Sequence, residues 1–66
     1  MKKYRYEKIL QGNYGQGFED LTAYDCDSTG FITDKQQREE KKNDVFAYRE
    51  NEPQYAHRLI VRRIKL

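Results

Sequence analysis

Asp25, Asp27 and Thr29 stand at alternate places in the stretch DCDSTGFITDKQ, with Gly30 sixth and Ile32 eighth. A calcium loop of the EF-hand kind has this spacing: oxygens at every second position, a glycine for the sharp turn and an apolar residue beyond it. Asp25, Asp27, Thr29 and the Phe31 carbonyl would be the early ligands. The twelfth place, however, is Gln36, which offers one neutral oxygen where two charged ones are needed. The segment that follows, QREEKKN, lacks the apolar residues that pack an EF-hand's second helix. The competing reading makes Asp25 and Asp27 turn formers, gives Gly30 a positive φ and lets Thr33 cap a helix. We expect the turn, expect no cofactor, and keep a weak calcium loop over 25–36 as a third functional reading.

Catalysis would need a nucleophile, a base and a group that orients them. His57 is the only histidine and falls in Tyr-Ala-His-Arg, where a surface or edge position is expected. Cys26 lies between two aspartates, which disfavour a thiolate. Asp25 with Asp27, and Glu39 with Glu40, are neighbouring acids of the kind that are ordinarily solvated. The glycines of GNYGQG precede no helix, as a dinucleotide fingerprint would require, and suit a hairpin reversal at Gly12, Gly15 and Gly17 instead. We expect no enzyme.

A basic and aromatic set carries more information. Lys2, Lys3, Arg5 and Lys8 fall near the start, and Arg58, Arg62, Arg63 and Lys65 near the end. Tyr4 and Tyr6 lie among the first group and offer rings on which bases could stack. Residues 17–34 carry five acids and no base, while 54–66 carry four arginines or lysines and no acid. Tyrosine and arginine also anchor protein interfaces. Tyr4, Arg5, Tyr6, Lys8, Arg58, Arg62 and Arg63 are therefore the expected partner-binding residues. A protein partner is expected first, and nucleic acid second.

These residues must be positioned by few elements, because 66 residues make one small domain, 1–66, with a thin core. Residues 3–11 read as a strand, GNYGQG as the turn, and 18–24 as the return strand, with Glu19-Asp20 suiting an edge or a bulge. A helix is expected from Asp34 to Glu50, opened by a capping box of Thr33 with Gln36 and closed by Asn51 and Pro53. Its apolar stripe is confined to Val45 and Tyr48. The polar first half should project or fray, held by surface ion pairs of Arg38 and its acidic neighbours. Residues 55–66 form the last strand, with its register open. The order predicts an α+β fold, ββαβ, with a three-stranded sheet in order 2-1-3 and one helix on one face. Such a sheet puts the two basic strands side by side.

The strings LQGNYGQGFEDLTAYD and AYRENEPQYAHRLIVRR resemble a group of small uncharacterised proteins encoded in bacterial genomes, phages and other mobile elements. These read QGNYG-x-GWEDL early and AYRENEP-x-Y-x-HR late; Phe18 stands here where tryptophan is common. The resemblance implies a bacterial or phage cytoplasmic origin and a whole-domain unit, with modulation of a host system as a natural role. It transfers no catalytic residue. One cysteine, an amino end with no apolar export segment and no membrane-length apolar run all point to the cytoplasm. The expected protein is a small non-enzymatic binding module that acts on a protein partner through its sheet. A homodimer is possible because the sheet leaves open edges.

Overall fold

The computed structural model describes residues 3–66. Strands β1 (Tyr4–Asn13) and β2 (Phe18–Cys26) are followed by helix α1 (Lys35–Asn51) and strand β3 (Ala56–Lys65). The sheet has the order β2-β1-β3, and β1 runs antiparallel to both neighbours. The expected fold and strand order are those observed. Lys2 lies outside the described residues.

The hairpin turns at Asn13, whose Oδ1 accepts the Gly15 N–H at 2.9 Å, and Gly15 and Gly17 take φ of 106° and 92°. Gly12 does not belong to the reversal, contrary to expectation. It is a buried residue of β1, and a Cβ there would lie 3.0 Å from Tyr14 Oη and 3.1 Å from Leu21 Cδ1. Its smallness therefore serves close approach. Past the turn, Gln11 pairs with Asp20 and Leu10 with Thr22, which leaves Leu21 as an extra residue and bulges the edge strand beside Glu19-Asp20.

Adjacent residues of a strand face opposite sides, and cross-strand partners share one. Leu10 thus faces α1, together with Leu59, and joins Tyr24 and Ile32 in the main core. Leu21, Cys26, Val45 and Tyr48 pack around this cluster. Ile9, with partners Ala23 and Ile60, must point to the other side, which no helix covers. It is nevertheless only 2% exposed.

The helix differs from expectation in its start and its first half. Asp34, not Thr33, is the N-cap, and its carboxylate accepts the N–H groups of Gln36 and Gln37. Asp reaches two orphan donors at once, as an N-cap should. The first half does not project. Gln37, Arg38, Lys41, Asp44, Val45, Tyr48 and Glu52 are half-buried, forming one stripe at helical spacing. Polar contacts dock its upper part: Gln37 accepts the Asp25 backbone N–H at 2.9 Å, and Tyr24 Oη donates to Asp44 at 2.6 Å. Arg38 lies over the Phe31 ring, 5.0 Å from its centroid, and makes no ion pair with Glu39. The Gln37 and Asp44 contacts draw α1 toward the β2 side of the sheet.

Candidate functional site

The calcium-like string folds as a turn held by its own side chains. Asp27 Oδ1 accepts from the Thr29 N–H, the Thr29 hydroxyl and the Phe31 N–H at 2.6–3.0 Å. The Phe31 carbonyl, a required ligand, accepts instead the Asp27 N–H. Gly30 has φ +90°, and a Cβ on it would lie 2.9 Å from Val61 Cγ2. These hydrogen bonds hold the Asp27 carboxyl below its usual range. Asp25 is not a turn former: it belongs to β2, and the segment before the loop is a strand where an EF-hand has a helix. Among the described residues no cluster of three metal-ligating side chains forms. The Cys26 thiol is pushed up first by burial and then by Asp27 and Asp25, against the pull of Lys8.

The expected partner-binding residues do lie on adjacent strands, but the pairing divides them between the two faces. Tyr4, Tyr6, Lys8 and Arg63 have the parity of Leu10 and Leu59 and share the helix side. Arg5, Arg58 and Arg62 lie on the open side with Ile9. There Arg58 Nε donates to Gln11 Oε1 at 2.8 Å, and Gln11 Nε2 donates to Asp20 Oδ1 at 2.7 Å. Arg62 sits opposite Glu7 and Asp20 opposite Gln11, so their 2.9 Å contact runs diagonally over Ile9. Arg58 also covers the Phe18 ring, 3.9 Å from its centroid. The open face is thus roofed by arginine stems, which bury apolar surface while their charged heads stay wet. Arg62, with help from Gln11, holds the Asp20 carboxyl below its usual range.

A second cluster ties the hairpin turn, the end of α1 and the start of β3. Tyr14 Oη donates to Glu52 Oε1 at 2.7 Å, and His57 Nε2 lies 3.4 Å from the same oxygen. The rings of Tyr55 and His57 meet Tyr14 edge-on, and Tyr48 leans on His57. His57 lies on the edge strand β3, as one of its two expected positions had it, but its side chain is only 3% exposed. Tyr14, Tyr48 and Glu52 enclose its ring. The hydrogen bond to Glu52, then desolvation, pushes Tyr14 up to about 12. As pH rises from 10.0 to about 12, unfolded chains lose a proton that the native state keeps, so stability falls across that interval. Tyr14→Phe is expected to flatten this alkaline decline in urea midpoints, leaving a slope from Tyr24, which burial raises further.

The two sheet edges differ. Leu66 N–H donates to the Lys3 carbonyl at 3.0 Å, which marks Lys3 and Leu66 as a hydrogen-bonded pair. Antiparallel pairs alternate, and the β1–β3 register is unbroken, so Ala56, Arg58, Ile60, Arg62 and Ile64 turn their backbone groups toward β1. His57, Leu59, Val61, Arg63 and Lys65 therefore turn theirs outward along a free edge. The β2 edge is bulged at Leu21 and occupied at Asp25 by Gln37. Among the described residues, β3 is the edge whose pairing is unbroken and whose outward backbone groups take no hydrogen bond.

Because α1 leans toward β2, a groove opens between it and β3, lined by Lys41, Lys42, Val45, Phe46, Arg49 and Leu59. Phe46 is 66% exposed and Val61 44%. Sequence reasoning missed Phe46, although an aromatic off the apolar stripe of its helix was itself a signal. It also missed Gln11, Asp20 and Glu52, whose roles depend on register. Compared with protein-family models, curated proteins and solved structures, the chain matches none, so the functional reading rests on this geometry. Among the described residues no helix is long and apolar enough to cross a membrane.

Proposed function

We propose that the protein is a non-enzymatic binding module that engages a protein partner through its sheet, at the free edge of β3. The carrying observation is the row of outward N–H and C=O groups on His57, Leu59, Val61, Arg63 and Lys65. Such an edge templates pairing with another chain, and proteins usually blunt it, as happens here at β2. A bacterial or phage origin and an action on a host system, which the resemblance of the two end strings implies, would fit a module this small.

Nucleic-acid binding is favoured less by the same geometry. Of the two rings expected to stack on bases, Tyr4 is covered by Arg63 and Tyr6 is half-buried, and on the other face Arg58 covers Phe18. Arg58 and Arg62 already donate to Gln11 and Asp20. Self-pairing of β3 would set its Arg58, Arg62, Arg63 and Lys65 against their copies with no acid between them, which opposes a homodimer through this edge.

Arg63→Pro tests the reading. It deletes one outward N–H and leaves the β1–β3 ladder intact, as proline on an edge strand does. Arg63→Ala controls for the lost stacking on Tyr4. In affinity capture from the host, the same protein is expected on wild type and Arg63→Ala and is expected to be lost from Arg63→Pro, whose circular dichroism stays native. Undiminished capture by Arg63→Pro would remove the edge from consideration. Retention of mixed DNA or RNA that collapses steeply with salt would favour phosphate binding instead.

A further inference from the structure

We infer that the occupant of the β3 edge is an acidic, extended protein segment with apolar residues at alternate places, seated partly in the groove between β3 and α1. This rests on the edge reading above and adds the chemistry of the partner. A strand added beside β3 would place its side chains alternately on the two faces of the sheet. On the helix face its neighbours are Leu59 and Val61, with the exposed Phe46 beyond and Val45 at the base of the groove. On the open face its neighbours are Arg58, Ile60 and Arg62.

An incoming segment that reads acid, apolar, any residue, apolar, acid therefore meets Arg58, Leu59, Ile60, Val61 and Arg62 in turn, in either chain direction. The charge around this path has one sign. β3 carries no acid, and Lys41, Lys42 and Arg49 rim the groove without an ion-pair partner among the described residues. Arg58 and Arg62 reach inward over β1 to Gln11 and Asp20, so their stems border the edge on the open face, and the cations without an ion-pair partner nearest the path are Lys41, Lys42 and Arg49. A polyanion without apolar side chains would satisfy the rim and leave Phe46 and Val61 wet.

The test uses three synthetic peptides in a common serine-rich frame, measured against the full chain by fluorescence anisotropy and amide chemical shifts. The first contains Glu-Val-Thr-Val-Glu, the second replaces both glutamates by lysine, and the third replaces both valines by serine. The first is expected to bind, with shifts along β3 and at Phe46. The second and third are each expected to be weaker by about tenfold or more, from lost charge complementarity and lost apolar burial. Phe46→Ser should weaken the first peptide several-fold (on the order of fivefold) without changing the fold, since the ring is largely solvated.

Equal binding of the first and third peptides, matched by a single-stranded oligonucleotide, would overturn the inference in favour of a generic anion surface. If no peptide binds while Arg63→Pro still loses its captured protein, the edge reading survives and the assigned chemistry fails. If the first peptide binds wild type and Arg63→Pro alike, with no shifts in β3, both fail together.

Discussion

Tyr24→Ala is expected to unfold the domain at 25 °C, whereas Tyr24→Phe should remain folded. Helix α1 has no fully buried residue, so it holds the sheet through a few half-buried side chains. Tyr24 of β2 is the principal anchor they meet: its ring lies in the main core, and its hydroxyl reaches Asp44. Removing a buried aromatic ring costs roughly 3–5 kcal/mol. A core of this size rarely supplies more than about 3–5 kcal/mol in total. Deleting only the hydroxyl forfeits one hydrogen bond, about 1 kcal/mol. Urea melts followed by far-ultraviolet circular dichroism would show the difference. A near-native midpoint for Tyr24→Ala would mean that Val45 and Tyr48 dock the helix by themselves. In that case the width of the groove beside β3 would not be set from the β2 side.

The elements were legible because each carried local chemistry that tertiary structure did not override. Tyrosine and aliphatics in 3–11, glycines around Asn13 and proline after Asn51 placed the boundaries to within two residues, and chain order limited the topology to few choices. What could not be read was which face each side chain takes. That depends on the β1–β3 register and on one extra residue, Leu21, and a shift of one place exchanges the faces. Hence the basic residues were correctly brought onto neighbouring strands, yet their division into Tyr4, Tyr6, Lys8 and Arg63 against Arg5, Arg58 and Arg62 was hidden.

His57 stands on an edge strand, as one of the two expected positions had it, but the burial of its ring against Tyr14 and Tyr48 was hidden. The polar half of α1 failed differently. Gln37 and Asp44 carry no apolar signal, and their docking value exists only where the Asp25 N–H and the Tyr24 hydroxyl meet them. A periodicity argument weighs hydrophobicity, so it treats such a stripe as solvent-facing.

The open face supports the other large expectation: Ile9→Ala should destabilise the domain about as much as Leu10→Ala, roughly 2–5 kcal/mol each. The two residues are adjacent on the central strand, 2% and 1% exposed, and point to opposite sides. Leu10 has the helix above it. Ile9 has Ala23 and Ile60 as cross-strand partners and the crossing side chains of Arg62 and Asp20 above. That ion pair is itself half-exposed, at 46% and 49%, so solvent screens it and it adds little. Its stems, not its charges, keep water from Ile9. Arg62→Lys should therefore cost little, because the aliphatic stem remains. Arg62→Ser should cost more, because Ile9 would be wetted. Chemical denaturation of the four variants measures the contrast. If Ile9→Ala melts with wild type, the roof does not seal. Arg58 and Arg62 would then be loose cations and no longer a fixed roof over β1.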